Sequence, residues 1–332
     1  MGDPSMVPSD APAAPMASIV IPSHDGRAWL QRCLPLIGVG SRTSHEVIVS
    51  DNGSRDGTAQ WLAAAWPAIR RVHAEAALGF AAACNRGAAE ARGQVLVFLN
   101  NDTEPEAGWL DHLVEPVRRA PQSLVTTARL VRLGDPSVID SAGDGYAWWG
   151  APFRRGSGGR TTAFGVPRDV FSPCGAACAI ARELFDRLGG FDEQLQSNCE
   201  DVDLGFRVRI GGGTCRYVPA AVVRHAGSAT LGVESANAVR LGQRNLEWVW
   251  WASLPWPLLL ATLPLHIVYN LLAAAYFLWR GRLGAFVAGK REALAGWPIA
   301  CRKRRHTMAT RRASSLSLLR AMSTPPLLTK WR

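Results

Sequence analysis

Apolar runs and polar breaks alternate along the first two-thirds of the chain. Ala17–Ile21 is a short apolar, β-branched run ended by Pro22, which predicts a buried strand. Val47–Val49 predicts a second strand, stopped by Asp51-Asn52-Gly53-Ser54, and Asp56-Gly57-Thr58 then opens a helix to about Trp66. The alanine-rich stretch Phe80–Ala91 predicts a helix closed by Gly93. Val95–Leu99 predicts a third strand that runs into Asn100-Asn101-Asp102, followed by a helix over Trp109–Arg119. From about 120 to 170 the pattern weakens, and Gly156–Arg160 predicts a mobile loop. Order returns with Gly175–Ile180, a helix over Arg182–Leu188 capped by Gly189-Gly190, a helix over Asp201–Ile210, and Val218–Val223 leading to His225. Strands alternating with helices predict an α/β domain with a mainly parallel sheet. Ligands in such sheets bind beyond the carboxyl ends of the strands, where Ser23-His24-Asp25, Asp51-Asn52 and Asn100-Asn101-Asp102 fall.

The last quarter of the chain differs. Residues 255–279 carry no charge, and at 1.5 Å per residue they are long enough for a bilayer core of about 30 Å. Trp248, Trp250, Trp251 and Trp256 stand at one end, and Tyr276 and Trp279 at the other, as in an aromatic belt. The chain's net charge of +10 is unevenly spread: residues 280–332 hold 13 Lys/Arg against Glu292 alone, so residues 1–279 are close to neutral. This disfavours a nucleic-acid-binding core and predicts a tail on an anionic membrane surface. The expected division is a disordered leader over 1–16, a globular domain over 17–235 and an amphipathic, aromatic connector over 236–254. A membrane-inserting segment over 255–279 and a basic tail over 280–332 follow. Pro255, Pro257 and Pro264 predict a bent, re-entrant or in-plane arrangement, a monotopic or hairpin insertion rather than a single span, with Arg302–Arg305 and Arg311-Arg312 on anionic headgroups. The seven cysteines show no CxxC pair and no zinc spacing, as expected of buried thiols in a reducing compartment.

Four clusters carry candidate chemistry. Asp102, directly after an apolar strand, suits a hard divalent cation or a helix cap. Asp51 suits a nucleoside contact or an Asx-turn. Glu200-Asp201-Val202-Asp203 packs three acids at a helix start, either as a solvated cap or with one of them as a general base. His225 after an apolar strand is a metal ligand, or else a surface or satisfied core histidine.

In this order and spacing the pieces resemble glycosyltransferase family 2, the inverting enzymes of GT-A fold, over about residues 17–230. Ile19-Val20-Ile21-Pro22-Ser23-His24 resembles the family's opening strand, and Val49-Ser50-Asp51-Asn52-Gly53-Ser54 its nucleotide-binding turn. Leu78-Gly79-Phe80-Ala81, with Asn85 and Gly87, resembles the segment beside the nucleotide. Leu99-Asn100-Asn101-Asp102-Thr103 stands at the metal-binding DXD position, reduced here to one carboxylate. Cys174-Gly175-Ala176-Ala177 and Gly189-Gly190-Phe191-Asp192-Glu193 resemble the acceptor-side half, Glu200-Asp201-Val202-Asp203-Leu204 the ED motif, and His225 the later metal-contacting histidine. The rhamnosyltransferase-type members of bacterial cell-surface assembly are the nearest in pattern.

The resemblance implies donor contacts from Pro22, Ser23, His24, Asp51, Asn52, Gly79, Phe80, Asn85, Asn100 and Asn101. It implies Mg²⁺ or Mn²⁺ on Asp102 and His225, Asp201 as the base, and Gly175, Glu200 and Asp203 on the acceptor side. The implied partners are a nucleotide diphospho-sugar, with dTDP-rhamnose as the expected donor, and a lipid-linked or cell-surface saccharide, met at the cytoplasmic face of the cell membrane. His24-Asp25 replaces the family's usual Tyr-Asn, and the absence of Gln-x-x-Arg-Trp disfavours a processive synthase. A sugar nucleotidyltransferase would carry a glycine- and arginine-rich loop where Pro22-Ser23-His24-Asp25-Gly26-Arg27 stands, and a dinucleotide-binding dehydrogenase would carry G-x-G-x-x-G there. A degenerate membrane scaffold is the non-enzymatic alternative, disfavoured by the retention of Asp102, Asp201 and His225.

Overall fold

The computed structural model describes residues 14–227 and 235–323. Most of the expected leader, and the last residues of the basic tail, lie outside them. In chain order the N-terminal half runs β1 (Ala17–Ser23), α1 (Arg27–Cys33), β2 (His45–Asn52), α2 (Thr58–Ala65), β3 (Arg70–Ala74), α3 (Phe80–Ala89), β4 (Val95–Leu99), β5 (Thr103–Pro105) and α4 (Trp109–Arg119). Then come β6 (Leu124–Arg132), β7 (Asp135–Ser141), β8 (Asp144–Tyr146), β9 (Pro152–Arg154), β10 (Arg168–Val170), β11 (Ala177–Ala181), α5 (Arg182–Arg187), α6 (Glu200–Ile210) and β12 (Thr214–His225). Five helices close the described chain: α7 (Ala236–Ser253), α8 (Trp256–Trp279), α9 (Leu283–Ala295), α10 (Trp297–Ala309) and α11 (Ser315–Ala321).

The main sheet has the order β10-β12-β6-β11-β4-β1-β2-β3, with β5 added to β12 and β7 to β6. Its first half is the parallel sheet expected, with β1 between β2 and β4. The second half is mixed, because β11 runs antiparallel to both β4 and β6. β1 and β4 are buried along their whole length, which is why their sequences read as continuous apolar runs rather than as alternation. α4 covers one face with Trp109, Leu110, Leu113, Val114 and Val117. The Trp109 indole donates to the Ile37 carbonyl at 2.9 Å, so the one polar atom of this large buried side chain is paired.

Three departures from the expected layout bear on function. The weakly patterned stretch from 120 to 170 forms β6 to β10. Gly156–Arg160 is pinned rather than loose: the Ile139 amide donates to the Gly159 carbonyl at 2.8 Å and the Gly158 amide to the Ile139 carbonyl at 2.9 Å. The C-terminal helices also share a core with the sheet domain, in which Tyr146, Phe171, Val202 and Phe206 meet Trp248 and Trp250. Finally, the prolines do not break α8. Pro255 caps it and Pro257 sits in its first turn, where a missing N–H leaves nothing unpaired, and the helix continues through Pro264.

Candidate functional site

A cavity of about 780 Å³ opens at the carboxyl ends of β1, β2 and β4, where the parallel half of the sheet meets the mixed half. Pro22, Ser23, His24, Asn52, Gly79 and Phe80 line one part of it, and Asn100, Asn101 and Asp102 follow β4 into it. Gly175, Glu200, Asp201 and His225 line the remainder. Thirteen of the sixteen sequence-predicted site residues thus line one cavity; Asp51, Asn85 and Asp203 do not.

The three exceptions hold structure beside the cavity. Asp51 is buried, accepts from the Ser54 amide at 3.0 Å in the Asx-turn, and lies 3.0 Å from His73 Nδ1. The Asn85 amide exchanges hydrogen bonds with the Phe191 backbone at 2.8 and 2.9 Å, tying α3 to the Gly190–Glu193 turn. Asp203 accepts from Arg207 at 2.7 and 2.8 Å, and Arg207 in turn donates to the Leu188 and Gly190 carbonyls.

Strand pairing assembles the most polar corner. β12 runs antiparallel to β5 with His225 opposite Thr103, which brings His225 Nε2 to 3.3 Å from Asp102 Oδ1 across 123 residues of sequence. On its other side His225 Nδ1 lies 2.8 Å from Asp140 Oδ2, at the end of β7, and Asp140 also accepts from Arg154 at 3.1 Å. Burial opposes the imidazolium, but hydrogen bonds and charge from Asp102 and Asp140 outweigh it and lift His225 to about 9. Asp140 and Arg154 lie in the stretch where the sequence pattern weakens, and nothing in their local sequence marks them.

Asp201 sits in the first turn of α6. Its carboxylate accepts from the Gly175 amide at 2.9 Å and from the Val202 amide at 2.8 Å, so both oxygens are fixed. Burial pushes Asp201 above its ordinary value, partly opposed by those amides and by Arg154. Burial pushes Glu200 and Asp144 up further, and charge repulsion from Asp201 adds to both. The donor atoms of Asp144, Cys174 and Asp201 lie within 4.8 Å of one another. Burial, with the nearby carboxylates, pushes the Cys174 thiol well up, and thiol sulfur is a soft ligand that suits Mg²⁺ or Mn²⁺ less well than oxygen. Asn100 Oδ1, Asn198 Nδ2 and Glu200 Oε2 are buried in the lining and find no hydrogen-bond partner among the described residues. Polar atoms left in that state mark a place where a polar ligand completes the network.

The loop before α6 is strained. Gln196, Asn198 and Cys199 have φ of 61°, 71° and 70°, a region that disfavours side chains by about 1–2 kcal/mol each. Gly79, at φ 94°, passes so close that a Cβ there would lie 3.0 Å from the Gln196 backbone. The fully buried Asn245 of α7 holds this loop: its amide reaches the carbonyls of Leu195, Ser197 and Asn198 at 2.8–3.0 Å. α7 also lines the cavity with Asn237 and Leu241, so the segment expected as a connector is part of the site. Asn245→Ala leaves three carbonyls without this donor. It is expected to lower stability by about 2–4 kcal/mol and to reduce turnover through misplacement of Asp201, which thermal melts and initial rates check together.

The profile of glycosyl transferase family 2 matches residues 18–189. N-acetylglucosaminyl-diphospho-decaprenol L-rhamnosyltransferase of Mycobacterium tuberculosis is 30% identical over 274 residues, covering 72% of this chain and 88% of that protein. O-antigen biosynthesis protein RfbC of Myxococcus xanthus is 30% identical over 213 residues, covering 60% of this chain and 16% of that protein. Among solved structures, GalNAc-T7 with UDP, GalNAc and Mn²⁺ superposes with a TM-score of 0.58 at 22% identity, over 71% of this chain and 48% of that one. The mannosyltransferase PcManGT of Pyrobaculum calidifontis, with GDP-Man and Mn²⁺, superposes with a TM-score of 0.52 at 20% identity, over 85% and 87%.

Proposed function

The chain belongs to glycosyl transferase family 2, and on that premise we propose that it transfers rhamnose from dTDP-rhamnose to a lipid-linked saccharide. The reaction is a single displacement with inversion, at the cytoplasmic face of a bacterial membrane, in cell-surface glycan assembly. The observation that carries the reading is that one cavity holds both halves of the chemistry: the Asp102–His225 pair and the fixed carboxylate of Asp201. The mycobacterial relative, named for rhamnosyl transfer to a diphospho-decaprenol-linked sugar, supports the donor and acceptor class.

The base and sugar of the donor lie along Pro22, Ser23, His24, Asn52, Gly79 and Phe80. A divalent cation, Mg²⁺ or Mn²⁺, would be held by Asp102 and His225: one carboxylate oxygen and one imidazole nitrogen converge at 3.3 Å, and the cation would replace the proton that the flanking Asp102 and Asp140 favour on His225. When bound, such an ion supplies a Lewis acid that neutralises a diphosphate leaving group. Asp140 orients His225 from behind, as carboxylates do for metal-binding imidazoles. Arg154 brings a second positive charge to the lining. Asp201 takes the proton from the acceptor hydroxyl as that oxygen attacks the anomeric carbon. Glu200, whose carboxyl burial pushes well above its ordinary value, stands beside it on the acceptor side.

The test is nucleotide-diphosphate release by the purified full chain from dTDP-rhamnose, UDP-glucose, UDP-N-acetylglucosamine and GDP-mannose, with a bacterial lipid extract and with Mn²⁺ or EDTA. Release from dTDP-rhamnose alone, dependent on lipid and metal, is the expected result. Release from another donor overturns the sugar assignment. Absence of both release and donor binding overturns the reading as a whole.

A further inference from the structure

α8 is unlike every other helix among the described residues. Ten of the nineteen exposed large apolar side chains among the described residues lie on it. Trp256, Leu260, Ile267, Leu271 and Leu278 repeat at helical spacing along its outer side, while Leu258, Leu259, Thr262, His266 and Ala273 are buried on the inner side. A soluble protein rarely leaves so continuous an apolar stripe in water, so a partner covers it.

The inner side decides how the helix meets that partner. Near its midpoint, His266 Nδ1 lies 2.8 Å from the Trp149 carbonyl, in the turn between β8 and β9. His266 Nε2 lies 3.1 Å from Glu247, which pairs with Lys290 at 2.5 Å. If α8 crossed a bilayer, this ionic cluster and the β8–β9 turn would be carried to the hydrocarbon midplane, where charged groups are strongly disfavoured. A helix lying along the surface, its outer stripe sunk into one leaflet, keeps the cluster on the water side.

Charge completes the picture at the start of α8. A cavity of about 830 Å³ lies between α8 and α10, lined by Trp256, Pro298, Arg302, Arg304, Arg305 and Arg311 among others, with no carboxylate in its wall. Arg304 is fixed by the Trp251 and Leu254 carbonyls and stacks 4.6 Å from the Trp256 ring. Arg311 is anchored by the Ala313 carbonyl and Ser315. Arg302 and Arg305 form no ion pair among the described residues. At the far end, Arg280 stacks over Trp279. Tryptophan with arginine at both ends of an exposed apolar stripe suits an interface between hydrocarbon and headgroups.

We propose that α8 lies in the plane of one leaflet and that the Arg302–Arg305–Arg311 cavity takes the phosphate of an anionic phospholipid headgroup. The proposal is independent of which sugar is transferred. Because His266 ties α8 to the β8–β9 hairpin, and that hairpin carries Arg154 and Asp144 into the site, the same seating fixes the catalytic cavity relative to the bilayer.

The experiment is flotation of the full, detergent-purified chain with vesicles of phosphatidylcholine alone or mixed with phosphatidylglycerol. It is joined by depth measurements from a fluorophore on Leu260→Cys, Val268→Cys or Ala275→Cys, in a chain whose Cys199 and Cys301 are serine. Expected are stronger partitioning onto phosphatidylglycerol vesicles and a loss of about 25-fold in Arg302→Gln/Arg305→Gln, about fivefold per arginine. Binding to neutral vesicles should remain, and the three fluorophore depths should be equal and shallow. Wild-type partitioning by the double variant overturns the headgroup site. So does binding of inorganic phosphate to the cavity without any preference for anionic vesicles. A Val268 label deeper than the other two overturns the in-plane helix in favour of a span. Self-association that Leu271→Asn abolishes, without vesicle binding, overturns the bilayer as the occupant in favour of a second copy.

Discussion

Asp201→Asn lowers sugar transfer by about 10²–10⁴-fold and leaves donor affinity near wild type. The substitution keeps the shape of the side chain and removes the group that takes the acceptor proton. Gly175 and Val202 both donate to the native carboxylate, and an amide accepts from only one of them, so a stability loss of about 1–3 kcal/mol accompanies the change. A melting curve therefore belongs beside the rate measurement, to separate lost chemistry from lost fold. The pH profile carries a second signature. Burial raises Asp201 above its ordinary value of 3.8, and the base acts only when deprotonated, so kcat/KM falls as the pH drops through a point above 3.8. Arg154 lowers Asp201, so Arg154→Gln moves that acid limb to higher pH. Turnover by Asp201→Asn at the wild-type rate removes Asp201 from the chemistry. An acid limb that stays in place in Arg154→Gln removes Arg154 from its control.

The parts of this site that were legible in the sequence share a physical origin. β1 and β4 are buried on both faces, so they appear as unbroken apolar runs, and the polar residues that stop them, Ser23-His24 and Asn100-Asn101-Asp102, necessarily mark strand ends. His225 and Asp201 were visible for the same reason, one closing an apolar strand and the other opening a helix. What was not legible is pairing at long range. Nothing near Asp140 shows that β7 will lie against β6, or that His225 will arrive 85 residues later within 2.8 Å of it. β8 and β9 are three residues each, too short to show a period, so Arg154 and Asp144 carried no signal. Asn245 sat in a stretch read as a connector because its role is to pair three carbonyls of a distant loop, a contact with no local trace. Conversely, Asn85 and Asp203 stood at the positions the family resemblance pointed to, and the fold uses both to brace the turns beside the cavity.

Asp102→Ala is expected to abolish tight Mn²⁺ binding and to lower transfer by about 10²–10³-fold, the effect of losing several kcal/mol of charge stabilisation at the leaving group. Asp140→Asn separates holding an ion from orienting its ligand. Asp140 does not reach the shared corner of Asp102 and His225; it fixes the far nitrogen of His225, and the loss of such a partner weakens metal affinity by about 10–100-fold. Asparagine still accepts a hydrogen bond at that nitrogen but carries no charge, and it also gives up the ion pair that holds Arg154. Mn²⁺ titration of the donor-free protein, followed by the bound-ion signal, is therefore expected to order the proteins as wild type, Asp140→Asn, Asp102→Ala. Saturating Mn²⁺ should restore most transfer to Asp140→Asn and little to Asp102→Ala, because only the latter has lost a direct ligand. Equal Mn²⁺ affinity in all three, with transfer insensitive to EDTA, would instead make the Asp102–His225–Asp140 relay a purely structural clamp between β5, β7 and β12.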